Sequence, residues 1–313
     1  MRSVLTVTLN PAFDRTVWLE QLVPGATNRA LASALRIGGK GINVARAVSA
    51  RGLPAIAVGI AGEDQAAPIE RAMRADGVDA RFVRVSGETR TNLKLIERST
   101  GRMTEVNELG PSVDADALRA VEDAIVETIE RDDVGAVVMA GSLPQGVDAE
   151  VYARWVTRIR ALPGAPAVLV DASDAALAAA VDAGPFLVKP NRVEAETLLR
   201  RSIPDRDAAL DAARAIVRLG PRAVLMSLGA DGAVAAIGDT AEAIAPESIA
   251  PDSIPTGDAR LTSTVGAGDA MVARIAAGLV ELDSTADGLG AAEFIELCRL
   301  AVRAATEQIR GGV

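Results

Sequence analysis

The sequence predicts an α/β fold in which helices cover both faces of a mostly parallel sheet. Two observations carry that expectation. From about residue 114, short continuous apolar runs alternate with segments of helical periodicity: Ala136 to Met139, Ala167 to Val170, Phe186 to Val188 and Ala223 to Met226. Strands buried on both faces read this way. Before residue 114 the order differs. Two short strands, Arg15 to Glu20 and Ala30 to Ile37, precede any helix and flank the turn Pro24-Gly25, which marks an excursion from the main sheet.

Composition narrows the chemistry. The 313 residues are 49% hydrophobic and only 2% aromatic, so the core is built of Ala, Val, Leu and Ile. That length suits one large α/β domain or two smaller ones, and no linker, low-complexity tract or internal repeat divides it. A formal charge of −9, from 33 basic and 42 acidic residues, argues against nucleic acid or an anionic membrane as a partner. An anionic ligand then needs a local basic cluster. Histidine is absent, which removes His-based triads, general bases and metal ligands together. The one cysteine, Cys298, sits in an apolar helical pattern with Phe294, Ile295, Leu297 and Leu300 and reads as a buried, inert thiol. No apolar run reaches the ~18 residues of a membrane span. The N-terminus carries one Arg and then a strand-like pattern, unlike a signal peptide. A soluble cytoplasmic protein is expected.

Val4 to Leu9 is the first strand. It runs into Asn10-Pro11-Ala12-Phe13-Asp14, a turn that sets Asp14 at the carboxyl end of a strand, where open α/β sheets bind ligands. Gly38-Gly39-Lys40-Gly41-Ile42-Asn43 opens a helix that ends at Gly52. Its spacing is not that of a Walker A loop. Lys40 and Asn43 stand at the positive end of the helix and grip hydroxyls or phosphate, or else mark a tight turn with a surface Lys. Ala55 to Ile60 is a buried strand and Gln65 to Asp76 a helix; Phe82 to Val85, Leu93 to Glu97 and Met103 to Val106 are further short strands. Arg90, Asn92 and Lys94 point to one face of a strand. They form either a phosphate grip or a solvated face.

In the second half, three strand ends carry polar punctuation: Gly141-Ser142-Leu143-Pro144, Lys189-Pro190-Asn191-Arg192-Val193-Glu194 and Ser227-Leu228-Gly229-Ala230-Asp231-Gly232. Asn191 and Glu194 lie one turn apart at a helix start. They hold a hydrated Mg²⁺ or form a capping box. Ile244 to Arg260 reads as an irregular surface connection. Last comes Ser263-Thr264-Val265-Gly266-Ala267-Gly268-Asp269, a small-residue turn opening a helix. Free N–H groups and the helix dipole make such a turn an anion site. A carboxylate there repels the anion. Asp269 is therefore either a base for an attacking hydroxyl or a helix cap.

Together the two glycine-rich stretches, Gly38 to Ala45 and Ser263 to Asp269, resemble the PfkB carbohydrate kinases of the ribokinase-like fold, over residues 1 to about 280. Thr8 to Asp14, Thr89 to Lys94, Thr104 to Asn107 and Gly141 to Pro144 are most similar to the phosphosugar branch, which comprises 1-phosphofructokinases, tagatose-6-phosphate kinases and the minor 6-phosphofructokinases. The resemblance implies a single three-layer kinase domain over 1–313. It also implies a small β lid from about 15–37 and 82–106 that forms a homodimer interface. The substrates would be ATP and a ketohexose phosphate, with Mg²⁺. Asp269 would be the base, and Gly266, Ala267 and Gly268 the anion hole. Asp14, Gly39, Lys40, Asn43 and Ser142 would hold the sugar, and Arg90 and Lys94 its phosphate. Lys189, Ser227, Gly229, Gly232 and Thr264 would hold the nucleotide, and Asn191 and Glu194 the metal. Two departures stand out. Asp174 replaces a glycine usual in the family. The C-terminus after Leu300 to Thr306 is short, and Arg303 stands where a small residue is common, so the adenine pocket is expected to have a thin wall. A kinase of an unphosphorylated sugar or nucleoside would keep the same fold. A degenerate binding protein would fit the short C-terminus, but the intact Asp269 motif argues against it.

Overall fold

The computed structural model describes residues 1–246, 266–282 and 288–311. The first half contains β1 (Ser3–Thr8), β2 (Ala12–Leu19), β3 (Ala32–Gly38), α1 (Lys40–Ser49), β4 (Ala55–Gly62), α2 (Glu63–Ala75), β5 (Val78–Val85), β6 (Arg90–Glu97) and β7 (Met103–Asn107). The alternating part follows with α3 (Ala115–Arg131), β8 (Val134–Ala140), α4 (Val151–Arg160), β9 (Ala167–Asp171), α5 (Asp174–Asp182), β10 (Leu187–Val188), α6 (Arg192–Leu199) and α7 (Arg206–Leu219). It closes with β11 (Ala223–Ser227), β12 (Ala233–Ile237), β13 (Thr240–Ile244), α8 (Ala267–Glu281) and α9 (Ala291–Gly311).

Nine strands form the main sheet in the order β13-β12-β11-β10-β9-β8-β1-β4-β5. It is parallel from β5 to β11. Every residue of β1, β4 and β8 is buried, as continuous apolar runs require. One face packs on α1, α2, α8 and α9 through residues such as Ile42, Ile69, Ile275 and Phe294. The other packs on α3 to α7 through Ile125, Trp155, Leu177 and Ile216. The three layers match the expectation. The antiparallel hairpin β12–β13 was not anticipated, because Ala233 to Ile237 is another short apolar run with no polar alternation to mark the reversal.

A second sheet of four strands, β3-β2-β6-β7, stands apart. Its limits differ from the expected lid. It begins at Ala12 rather than 15, and β5 belongs to the main sheet beside β4, so the segment from 82 to 85 is not part of it. Asp14 likewise lies inside β2 and not in a turn at the end of β1. The Gly38-to-Asn43 stretch does open a helix. Gly39 precedes α1 at φ 126°, and a Cβ there would meet Thr8 Cγ2 at 3.0 Å and Pro11 Cα at 3.3 Å; only glycine takes that conformation without strain. The C-terminal segment is one long helix, α9, on the β12 side of the sheet. Cys298 is buried within it. No described helix is long and apolar enough to cross a membrane.

Candidate active site

The chain leaves β1 with β8 on one side and β4 on the other. This reversal of strand order opens a crevice at the carboxyl ends of the strands. Thr8 ends β1 and Asn10 follows it into the crevice, Ser142 follows β8, Asp171 ends β9, Lys189 follows β10 and Ser227 ends β11. Among the described residues, five buried side-chain polar atoms lack a hydrogen-bond partner: Thr8 Oγ1, Asn10 Oδ1, Arg90 Nε, Asn92 Oδ1 and Asp171 Oδ2. All belong to residues around this crevice. Asp171 Oδ2 is ion-paired to Lys189 at 3.4 Å; buried polar groups are normally satisfied, so the other four point to a polar ligand.

Gly266, at φ +86°, is the N-cap residue of α8 and offers no capping side chain. Asp269, three residues on, is thus not the N-cap residue. It lies in the first turn of α8, only 8% exposed, and its Oδ2 accepts a hydrogen bond from Asn43 Nδ2 at 2.8 Å. The two glycine-rich stretches, 226 residues apart, thus meet side chain to side chain. Burial first, and then the negative charge of Asp171, push the Asp269 carboxyl up to about 6, against the pull of Asn43, Lys40 and Lys189.

Asp171 has the opposite character. It is 1% exposed and faces two ammonium groups, Lys40 Nζ at 3.0 Å and Lys189 Nζ at 3.4 Å. Burial alone would raise its pKa, but the two lysines outweigh burial and hold it below the ordinary Asp value. Burial would lower Lys40, yet Asp171 holds that ammonium above its ordinary value, with smaller help from Asp269 and Glu194. Lys189 stands against the glycine turn: a Cβ on Gly268 would come within 3.2 Å of its Nζ. Two neighbouring carboxylates pushed apart in this way separate a proton acceptor from a fixed anion.

The four-stranded sheet supplies the opposite wall. Asp14 pairs in register with Asn92 on β6 and Arg36 on β3, and Asn92 Nδ2 donates to Asp14 Oδ1 at 2.9 Å. Arg90 and Lys94 share that face by strand alternation. The Arg90 guanidinium donates to the carbonyls of Asn10 at 3.2 Å and Glu108 at 3.3 Å, which fixes its plane and leaves Nε free. Asn10 Nδ2 donates to Ser142 Oγ at 3.3 Å, tying the first turn to the expected sugar-side Ser142.

On the far side of Lys189, Ser227 N donates to Pro190 O at 3.0 Å. The turn Gly229–Asp231 is closed by Leu228 N donating to Gly232 O at 2.8 Å. Asn191 and Glu194 do form a capping box: Asn191 Oδ1 accepts from Glu194 N at 2.9 Å and Glu194 Oε2 from Asn191 N at 2.8 Å. The capping role is real. It leaves Glu194's negative charge close enough to the crevice to act on Lys40. No cluster of three or more Asp, Glu, His or Cys residues suited to a metal occurs among the described residues. An ion held mostly by ligand phosphates needs only one protein carboxylate, a donor set that Glu194 fits.

The structure thus places Asp14, Gly39, Lys40, Asn43, Arg90, Ser142, Lys189, Asn191, Glu194, Ser227, Gly229, Gly232 and Gly266 to Asp269 around one end of the sheet, whereas Lys94 lies four residues beyond Arg90 on the same face of β6, opposite Thr16 and Glu105. Thr264, and all but the first residues of Ile244 to Arg260, lie outside the described residues. Sequence reasoning missed Asp171, Thr8, Asn10 and Arg36. It also missed Arg192, whose guanidinium reaches Asp231 Oδ2 at 2.8 Å and Ile203 O at 3.0 Å, linking the two nucleotide-side turns. Asp174, the expected departure, sits at φ 53°, a left-handed conformation that favours glycine.

Comparison with known proteins supplies the context. Residues 7–311 match the model of the pfkB family carbohydrate kinases, so the likeness extends well beyond residue 280. The chain is 37% identical to the 1-phosphofructokinase of Xanthomonas campestris pv. campestris, over 88% of this chain and 84% of that protein. It is 36% identical to the 1-phosphofructokinase of Escherichia coli K12, over 91% and 86%. Among solved structures, the tetrameric inhibited form of Escherichia coli phosphofructokinase-2 superposes with a TM-score of 0.83 at 28% identity, covering 100% of this chain and 98% of that one. The same enzyme in complex with fructose-6-phosphate gives 0.82 at 26%, with the same coverage.

Proposed function

The chain belongs to the pfkB family of carbohydrate kinases, and on that premise we propose that it transfers the γ-phosphoryl group of ATP to a hydroxyl of a ketohexose phosphate, converting fructose 1-phosphate to fructose 1,6-bisphosphate. The observation that carries the mechanism is the divergence of two neighbouring carboxylates, Asp171 held ionised by lysines and Asp269 pushed up to about 6. A base poised near neutrality suits proton transfer at physiological pH.

In this reading Asp14, Asn43 and the backbone at Gly39 hold the sugar hydroxyls, with Ser142 closing the side, while Arg90 and Lys94 take the existing phosphate. The free hydroxyl faces Asp269. Its oxygen attacks the γ-phosphorus as its proton passes to the Asp269 carboxylate, and the bond to the ADP oxygen breaks. The N–H groups of Gly266 to Gly268 at the start of α8 meet the charge on the phosphoryl oxygens, with Lys40 and Lys189 beside them. Ser227, Gly229 and Gly232 hold the nucleotide phosphates. Mg²⁺, when bound, neutralises phosphate charge; Glu194, backed by Asn191, is the residue to hold it. The apolar outer face of the four-stranded sheet would pair two copies.

A second substrate reading rests on one observation, the likeness to an enzyme solved with fructose-6-phosphate. An ADP-release assay over fructose 1-phosphate, fructose 6-phosphate, tagatose 6-phosphate, fructose and ribose separates the readings. The highest kcat/KM is expected for fructose 1-phosphate, with the unphosphorylated sugars at least roughly tenfold worse for want of charge-assisted bonds to Arg90. Equal turnover of fructose and its phosphate esters would overturn the phosphate grip. A preference for a 6-phosphate would reassign the substrate.

A further inference from the structure

Asp171 has no part in the substrate contacts just assigned, yet it is buried more deeply than Asp269. It receives Lys40 Nζ from the first turn of α1 at 3.0 Å and Lys189 Nζ from the segment after β10 at 3.4 Å. Neither ammonium has another ion pair among the described residues. The two lysines come from different halves of the site. Lys40 neighbours the sugar-side Gly39 and Asn43, whereas Lys189 leads into the nucleotide-side turn and stands against Gly268.

A lysine head group is a compact charge on a flexible stem. Left alone, Lys40 would swing out to solvent, since its side chain is 39% exposed, and Lys189, only 7% exposed, would be a stranded buried charge. Charges act best on a developing transition state when they are already in place. We propose that Asp171 is a positioning residue for phosphoryl transfer: by holding Lys40 and Lys189 on its two oxygens, it sets one ammonium from the sugar side and one from the nucleotide side beside the turn that carries Asp269. It is not itself the base, because both oxygens face ammonium groups. The proposal rests on the kinase reading above.

The test uses Asp171→Asn and the double variant Asp171→Asn/Lys189→Met, which removes the ammonium that the single change strands. Asp171→Asn is expected to lower kcat on the order of 10²-fold, with KM for both substrates moving less. The acid limb of kcat/KM should shift to lower pH, because Asp171 is one of the charges that raise Asp269; Asn43, Lys40 and Lys189 are the other groups facing it. A merely structural role would lower Tm and leave the kcat of folded protein unmoved, and that result overturns the proposal. So does wild-type kcat in the double variant. A third readout does not depend on activity: acylation of Lys40 by acetic anhydride, followed by mass spectrometry, should be faster in Asp171→Asn, and an unchanged rate overturns the proposal. If the wild-type protein phosphorylates no ketohexose phosphate, the kinase reading alone falls, and the Lys40 labelling still decides whether Asp171 holds the lysine.

Discussion

Asp269 meets two opposed demands, ionisation for chemistry and burial for placement. Its pKa of about 6 in the folded chain lies above the ordinary Asp value of 3.8. A carboxyl raised in this way contributes its full stability below pH ~4, where both folded and unfolded chains carry it protonated. That contribution is lost as pH rises through 6, where the ionised form must be kept buried. Asp269→Asn should therefore lower kcat at least ~10²-fold and yet make the protein more stable at pH 8, by on the order of 2–3 kcal/mol at most. The gain should fade as pH drops from 6 towards 4, which thermal melts across that range would show. Near-normal kcat would refute the base assignment, and a constant gain at all pH values would refute the burial argument. The Asp269 motif is legible in sequence because turn, glycines and carboxylate are contiguous. Asp171 is not. Locally it is the last residue of an apolar strand, and its meaning comes from a lysine 131 residues away. Thr8 and Asn10 stand in a stretch that the sequence does single out, but the part their side chains play depends on partners far along the chain, such as Ser142 for Asn10.

At the scale of elements, the start of α6 shows how one motif serves structure and chemistry together. Sequence reading left Asn191 and Glu194 as either a metal pair or a capping box, and the reciprocal hydrogen bonds establish the box. Gln at the third position of a capping box retains the acceptor, so Glu194→Gln removes charge without removing the cap. The expected result is a Tm near that of wild type and a half-saturating Mg²⁺ concentration raised on the order of tenfold. An unchanged Mg²⁺ profile would leave Glu194 with the cap alone. The same gap between local pattern and tertiary setting explains the misplaced elements. Phe82 to Val85 resembles the lid strands in length and polarity, but parallel pairing of β5 to β4 claims it for the main sheet. Ala233 to Ile237 is as apolar as a parallel core strand, but the turn Leu228–Gly232 reverses the chain so that β12 runs antiparallel to β11, and the tight turn to Thr240 reverses it again into β13.

Across the whole molecule, the alternation of apolar runs with helices was enough to predict the layered core, because a strand covered on both faces leaves no other pattern. The four-stranded sheet obeys a different rule, with two unlike faces. One carries Asp14, Asn92, Arg90 and Lys94. By strand alternation the other carries Val17, Leu35, Leu93, Leu95 and Val106, of which Leu35 and Val106 are each 53% exposed. At its base, Phe13 and Ile37 pack into the main core, but beyond them Leu35 and Val106 lie open among the described residues. All of the edge strand β7 is exposed as well. Contiguous apolar surface of this kind marks an association site, and a self-complementary patch most readily gives a two-fold dimer. Sedimentation should accordingly show wild type as a dimer or a higher even oligomer. Leu35→Asp and Val106→Asp, which touch nothing in the crevice, should shift it to monomer with Tm for the monomeric fold largely retained. The catalytic wall belongs to the same thin sheet, so the monomer should also lose affinity for the phosphosugar while its affinity for ATP changes little. Monomeric wild type, or aspartate variants that stay associated with unchanged KM, would show that the apolar face does not pair two copies.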